Sequence, residues 1–364
     1  MLREDLVLTK KIKYYFKYVL VHGIRIEEND NIEIVISSYL NEYLDILKEI
    51  LNEYNAKVYI TYTDGNILSN MINTDYNNYL NSKIEMYKAL IRKGFKRLNI
   101  ISPFTPLIAK TKNAVKYLNS TYKFEFVRTY FENHPHTTFA IPNSYWSANL
   151  GISEEELFYR IFNMTFRESI LEGKKEFLDS LNITKLYFKN SLGTNLRVGL
   201  TNNFKWNGNK FMANNISYLP NIPCLEIFTS PNKFEVDGTL VSSKPLYYKG
   251  HIINNYELTF KDGIVIKNKN LDEILNLEEN LKFSGEIALV LGFDEFLYRT
   301  ILLDENTGCH LALGNSYKNN ISEIDKINYA TKHIDLVFGT LDLEVYADTK
   351  LGHIKLIENG VLKV

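Results

Sequence analysis

The stretch Asn29-Asp30-Asn31-Ile32-Glu33-Ile34-Val35-Ile36, answered by Lys57-Val58-Tyr59-Ile60-Thr61-Tyr62, decides the fold of the first half of the chain. Asn29-Asp30-Asn31 is a turn cluster, and the run after it reads as a short β-branched strand. Between the two strands, residues 38–53 set Leu40, Leu44, Leu47, Ile50 and Leu51 on one helical face. Thr63-Asp64-Gly65 closes the second strand. Strand, helix and strand in this order form a βαβ unit, and the crossover helix makes the strands parallel. Outward from there, residues 5–22 carry Leu6, Leu8, Ile12, Tyr15, Phe16 and Val19 at helical spacing, with Gly23 placed to end the helix. A helix near 82–93, a strand Leu98-Asn99-Ile100-Ile101-Ser102 and a helix near 106–118 extend the pattern. No Gly-x-Gly-x-x-Gly or Walker-type loop follows any of these strands, so the expected parallel sheet lacks a phosphate cradle. Its expected work is to position, cap or dimerise.

Beyond it the pattern changes. Ser153 and Glu156 form a capping-box pattern ahead of Leu157, Ile161, Phe162 and Phe166, which predicts a long helical region reaching about 181. Short strands follow at Lys185-Leu186-Tyr187-Phe188 and Asn195-Leu196-Arg197-Val198-Gly199-Leu200. Turns are expected at Asn207-Gly208, Asp237-Gly238, Lys261-Asp262-Gly263 and Asn359-Gly360. The expected organisation is an α/β scaffold or capping domain over 1–182, holding the parallel sheet. A mixed α+β, strand-rich domain over 183–364 follows.

Composition narrows the function classes. Of 364 residues, 45% are hydrophobic and 23% charged, as in an ordinary globular chain. Lys+Arg 42 against Asp+Glu 43 gives a net charge of −1 and a pI near 6.7, which argues against a nucleic-acid or membrane-surface partner. Two cysteines rule out a disulfide framework and fall short of a Cys₄ zinc site. Seven histidines and the carboxylates leave an O/N metal site open. Acids stand where a signal peptide would be basic, and no apolar run approaches the ~18 residues of a membrane span. A cytoplasmic location is therefore expected. The 25 Tyr and 21 Phe read as compositional bias.

Candidate chemistry gathers in the second half. Glu226 stands alone in the apolar run Cys224-Leu225-Glu226-Ile227-Phe228, and Glu286 does the same in Gly285-Glu286-Ile287-Ala288-Leu289-Val290. An isolated carboxylate there costs several kcal/mol to desolvate and so requires a cation or hydrogen-bond donors. His310 precedes the apolar run Leu311-Ala312-Leu313, and His333-Ile334-Asp335 alternates. In a strand His333 and Asp335 would project from one face about 6–7 Å apart, presenting two ligands to one site. Cys309 and His310 would face opposite ways, so Cys224 and Cys309 read as buried reduced thiols. Lys244 reads as a solvated surface lysine, with anion binding as the alternative. His134-Pro135-His136 reads as exposed loop histidines; His22, His251 and His353 read as structural.

These residues, taken with Val236-Asp237-Gly238-Thr239-Leu240-Val241-Ser242-Ser243-Lys244-Pro245-Leu246 and Asp304 through Tyr317, resemble the thermophilic aminopeptidase family, the aminopeptidase T and S group of two-metal peptidases. The order of the segments and the seven-residue step from His310 to Tyr317 carry the resemblance, and Tyr145-Trp146-Ser147-Ala148-Asn149-Leu150 also fits. It implies metal ligands at Glu226, Glu286, His310, Tyr317, His333 and Asp335; Tyr317 and Glu305, an acid near His310, are the candidate catalytic residues. It implies two divalent ions, zinc first with cobalt or manganese as substitutes, one polarising the scissile carbonyl and one orienting a free α-amine. It also implies short-peptide substrates and a homodimer. One departure stands out. The family has a second acid just before the first ligand, where this chain has Leu225, and Glu305 is the available substitute. The alternatives are a catalytically impaired metal-binding structural or interaction protein of the same fold, and an amidohydrolase acting on a non-peptide amide.

Overall fold

In the computed structural model the described residues are 2–64, 75–104, 121–167, 171, 173–248, 251–318 and 321–363. The helix expected near 106–118 and Gly65 lie outside them. The chain divides into two compact units, Met1–Thr165 with Lys210–Ile222, and Phe166–Asn209 with Pro223–Val364. The single boundary expected at 182 falls within the second unit by this division, and the excursion 210–222 returns to the first.

Unit 1 is built on five parallel strands: β1 (Asn31–Ile36), β2 (Lys57–Tyr62), β3 (Lys96–Ile101), β4 (His136–Ala140) and β5 (Asn221–Ile222). They lie in the order β2-β1-β3-β4-β5. The helix Asn41–Asn52 buries Leu44, Leu47, Ile50 and Leu51, as its apolar stripe requires. Both faces of β1 are covered, so Glu33 is buried in mid-strand. Arg97 meets it at 2.7 Å, and the hydroxyls of Thr61 and Tyr87 donate to it at 2.8 Å. The expected 5–22 helix is Leu2–Tyr18 continued by a π turn, Val19–Gly23. The helix expected at 82–93 starts earlier, at Tyr76, because Asp75 accepts the N–H groups of Asn77 and Asn78. Past the carboxyl ends of β1 and β2, Asp64 accepts the Ser37 hydroxyl at 2.6 Å and the backbone N–H of Ser38, which opens the next helix.

The helical region expected to run from 153 to 181 is two helices, Glu154–Thr165 and Lys174–Ser180, and they fall in different units. Half of the capping box forms: the Glu156 N–H donates to Ser153 Oγ at 3.0 Å, while the Glu156 carboxylate accepts from Arg160. Unit 2 holds an eight-stranded antiparallel sheet. Its order is Ile264–Lys269, Glu257–Lys261, Pro231–Val241, Asn195–Leu200, Lys185–Lys189, Glu344–Thr349, Gly352–Glu358 and Val361–Leu362. Asp262-Gly263 and Asn359-Gly360 are hairpin turns within it, each with positive φ at both residues. Asp237-Gly238 is not a turn. It lies inside Pro231–Val241, where a Cβ on Gly238 would come 2.1 Å from Asn195 O, so close strand approach explains the glycine. Asn207-Gly208 is not a turn either; Asn207 forms an isolated antiparallel bridge with Phe228. A second, four-stranded antiparallel sheet runs β6 (Glu226–Thr229), β7 (Ser284–Val290), β8 (His310–Gly314) and β9 (His333–Val337), in that order. Among the described residues no helix is long and apolar enough to cross a membrane.

Candidate metal centre

The register of the four-stranded sheet puts the expected ligands on one face. Glu226 stands opposite Val290, Ala288 opposite His310, Glu286 opposite Ala312, Ala312 opposite Asp335, and Gly314 opposite His333. Residues directly opposite in antiparallel strands share a face, and alternation along each strand repeats it. Glu226, Glu286, His310, His333 and Asp335 therefore all project from the same side, separated by the small residues Ala288, Ala312 and Gly314. A Cβ on Gly314, whose φ is +97°, would fall 2.2 Å from Lys332 O, so this position facing His333 has to be bare.

The side chains converge. His310 Nε2 lies 3.0 Å from Glu226 Oε2 and 3.4 Å from Glu286 Oε1. His333 Nε2 lies 3.3 Å from Glu286 Oε2 and 3.1 Å from Asp335 Oδ1. Glu286 thus turns one oxygen toward each ring, and two groups share it: Glu226, Glu286 and His310, and Glu286, His333 and Asp335. The centre is graded in depth. The His310 side chain is 1% exposed and that of His333 25%, so the second group lies toward solvent.

The rings are oriented from behind. His333 Nδ1 is 2.7 Å from Asn315 O, and His310 Nδ1 is 3.3 Å from Gly308 O. A carbonyl oxygen only accepts, so Nδ1 carries the hydrogen in both rings, and each Nε2 turns its lone pair toward carboxylates. Glu226 Oε2 is buried and receives no aligned hydrogen bond despite the nitrogen at 3.0 Å. Electron pairs facing one another in a buried site call for a positive charge between them, a proton on the ring or a cation. The pKa directions agree. Burial works against charge on His310 and His333, yet the surrounding carboxylates hold both well above the ordinary histidine value. Burial works against ionisation of Glu286 and Asp335 too, but the imidazoles hold both below the usual carboxylate range. Burial pushes Glu226 up. The donor set of hard oxygens and imidazole nitrogens therefore fits divalent metal.

Tyr317 and Glu305 flank this cluster. The Tyr317 ring centroid is 5.4 Å from that of His333 and 5.0 Å from that of Phe228. Burial, then the charges of Glu286, Asp335 and Glu226, push its phenol well above the usual tyrosine value. Glu305 is buried, and its carboxyl is pushed well up by burial and by the charges of Asp335 and Glu226. Leu225 is buried, and its N–H donates to Asn306 Oδ1.

Lys244 departs from expectation. It is buried, not solvated. Its ammonium donates to Phe296 O at 2.8 Å and to Thr307 Oγ1 at 2.5 Å, and lies 3.5 Å from Asp304 Oδ1. Asp304 in turn accepts the N–H groups of Tyr298 and Thr300. The turn that bears Glu305 is thereby fastened from inside, and nothing in the sequence around Lys244 announced it. Cys224 and Cys309 are buried; Cys224 Sγ is 3.8 Å from Glu226 Oε1, and burial pushes the Cys309 thiol up to about 11. His134 and His136 turn Nδ1 to the carbonyls of Tyr130 and His134, and neither joins a metal-holding group among the described residues. His353 pairs with Asp348 at 2.8 Å.

The two side-chain groups offer oxygen and nitrogen donors that could hold metal. Residues 8–361 match the thermophilic metalloprotease (M29) family, and the chain belongs to that family. It is 34% identical over 177 residues to aminopeptidase 2 of Geobacillus stearothermophilus, a stretch covering 43% of this chain and 43% of that protein. It is 24% identical over 390 residues to aminopeptidase PepS of Streptococcus thermophilus, covering 92% of this chain and 94% of that one. The chain thus spans less than half of the first relative and nearly all of the second. The solved structure of wild-type AmpT from Thermus thermophilus shares the fold, with a TM-score of 0.83 at 20% identity, over 98% of this chain and 99% of that one.

Proposed function

We propose that the protein is a metal-dependent aminopeptidase that removes N-terminal residues from short peptides at a two-ion centre. The observation that carries this reading is Glu286, which faces two histidines with its two oxygens while each histidine meets a second carboxylate. In this reading Glu226, Glu286 and His310 hold one ion, Glu286, His333 and Asp335 hold the other, and Tyr317 adds a phenol oxygen. Two divalent ions bound there would supply a Lewis acid for the scissile carbonyl and acidify a water. The three carboxylates offset most of the charge of two dications. Glu305, buried beside the cluster, takes the part of the missing acid at 225, holding and returning a proton at its carboxyl. The aminopeptidase names of the relatives support the reaction class, and family membership supports the metal. The reading extends to zinc as the first metal, with cobalt or manganese as substitutes, to a homodimer and to a cytoplasmic location.

The test is hydrolysis of aminoacyl-p-nitroanilides by protein loaded with Zn²⁺, Co²⁺ or Mn²⁺. Glu226→Ala and His333→Ala are each expected to abolish it, and full activity in both would overturn the reading. Metal content on the same preparation separates the alternatives. Two ions per chain with no turnover on a broad peptide panel would favour a metal-holding interaction protein. Equal turnover of substrates whose α-amine is blocked would favour a general amidohydrolase.

A further inference from the structure

Tyr317 reaches the centre from outside the four strands, on the stretch that leaves β8 after Gly314. Its main chain is held in both directions by one side chain. Ser230 Oγ accepts the Tyr317 N–H at 3.0 Å and donates to the Tyr317 carbonyl at 2.9 Å. Ser230 is 0% exposed and sits at the junction of β6, which opens with Glu226, and the long strand Pro231–Val241. β6 and β8 are not neighbours in the sheet, because β7 lies between them. A single hydroxyl therefore supplies the reciprocal pair of bonds that a strand ladder would otherwise provide. It ties the strand of Glu226 to the stretch of Tyr317. Next to it, Ser316 holds the backbone of Asn328 in both directions: its N–H donates to Asn328 O, and its Oγ accepts the Asn328 N–H. Asn315 O accepts His333 Nδ1–H in the same stretch.

We propose that Ser230 is the positioning residue for Tyr317. It reaches neither substrate nor metal, and it fixes the backbone from which the phenol meets the centre. The proposal rests on the reading of Tyr317 as a metal ligand. Its physical basis is that removing the hydroxyl takes from the part-buried main chain of Tyr317 both bonds that buried Ser230 makes to it, which drives that backbone to seek other partners. A ligand must be held to within about 0.5 Å to function, so such a shift reads out at the metal.

The experiment loads the full chain with Cu²⁺, whose phenolate-to-copper charge-transfer absorption reports a bound tyrosine directly. Wild-type protein is expected to show the band and Tyr317→Phe to lose it. Ser230→Ala is expected to shift or weaken it at unchanged copper content, while kcat of the Zn²⁺ or Co²⁺ protein falls roughly 10- to 100-fold and KM holds, the range for groups that orient ligands. Ser230→Thr, which keeps the hydroxyl, should retain both band and kcat. Ser230→Cys, nearly isosteric but a weaker hydrogen-bonding group, gives an intermediate band and serves if the alanine variant fails to fold. A band that survives Tyr317→Phe overturns the ligand reading and the proposal with it. A band lost in Tyr317→Phe but unchanged, with kcat, in Ser230→Ala or Ser230→Cys overturns the proposal and leaves the ligand reading standing.

Discussion

Glu286 is the residue on which the centre turns, since both histidines face it. Glu286→Gln keeps the shape and removes the charge. It is expected to lower metal content below two ions per chain by mass spectrometry and to cut hydrolysis roughly 100-fold or more, as losing an oriented charge does elsewhere. Lys244 gives a second test at this scale. Lys244→Met leaves the buried Asp304 with its backbone donors but without its cation, a change worth about 3–5 kcal/mol of stability. Urea unfolding should show that loss, and adding Asp304→Asn should recover part of it. The two residues also mark what a sequence can tell. A lone acid in an apolar run, as at 226 and 286, is conspicuous because its desolvation has to be compensated. A lysine beside a proline is not, because only tertiary packing decides whether its head reaches water. Tyr317 carries no local signal, and only the family likeness points to it.

At the level of elements, the face of the four-stranded sheet explains why strands carry the centre. Strand alternation made His333 and Asp335 legible as a same-side pair. It could not show that Glu226, Glu286 and His310 share that side, because cross-strand register comes from pairing between distant segments. The overlooked signal was the small residues: Ala288, Ala312 and Gly314 fill the positions between the proposed ligands on that face. Ala312, opposite both Glu286 and Asp335, is the clearest case. Ala312→Leu is expected to displace metal while costing about 1–3 kcal/mol of stability through overpacking. Thermal unfolding and metal analysis together check it; full metal content in a folded variant would contradict the shared face. The turn dipeptides misled at Asp237-Gly238 for a related reason, since a glycine needed for close strand approach looks the same in sequence as a glycine needed for a reversal.

At the level of the whole molecule, metal and stability are linked through unit 2, which contains every proposed ligand. Each ion present at a hundred times its dissociation constant adds about 2.7 kcal/mol to the folded state. For a domain of this size its removal corresponds to a fall of roughly 5–11 °C in melting midpoint. Scanning calorimetry before and after chelation should show that fall, with far-UV circular dichroism retained because the buried strands do not depend on the ion. The parallel sheet of unit 1 was legible from its βαβ run, whose periodicity is local. The division of the chain was not, because the return of 210–222 depends on where that segment finds a partner.

That return has a practical consequence. β5 lies at one end of the parallel sheet, and its bonds to β4 cover what would otherwise be an open row of main-chain donors and acceptors. A polypeptide cut at 182 keeps the first four strands but bares β4 along that side. Bared strand rims recruit other chains, so such a fragment should self-associate, whereas supplying residues 210–222 as a peptide should keep it monomeric.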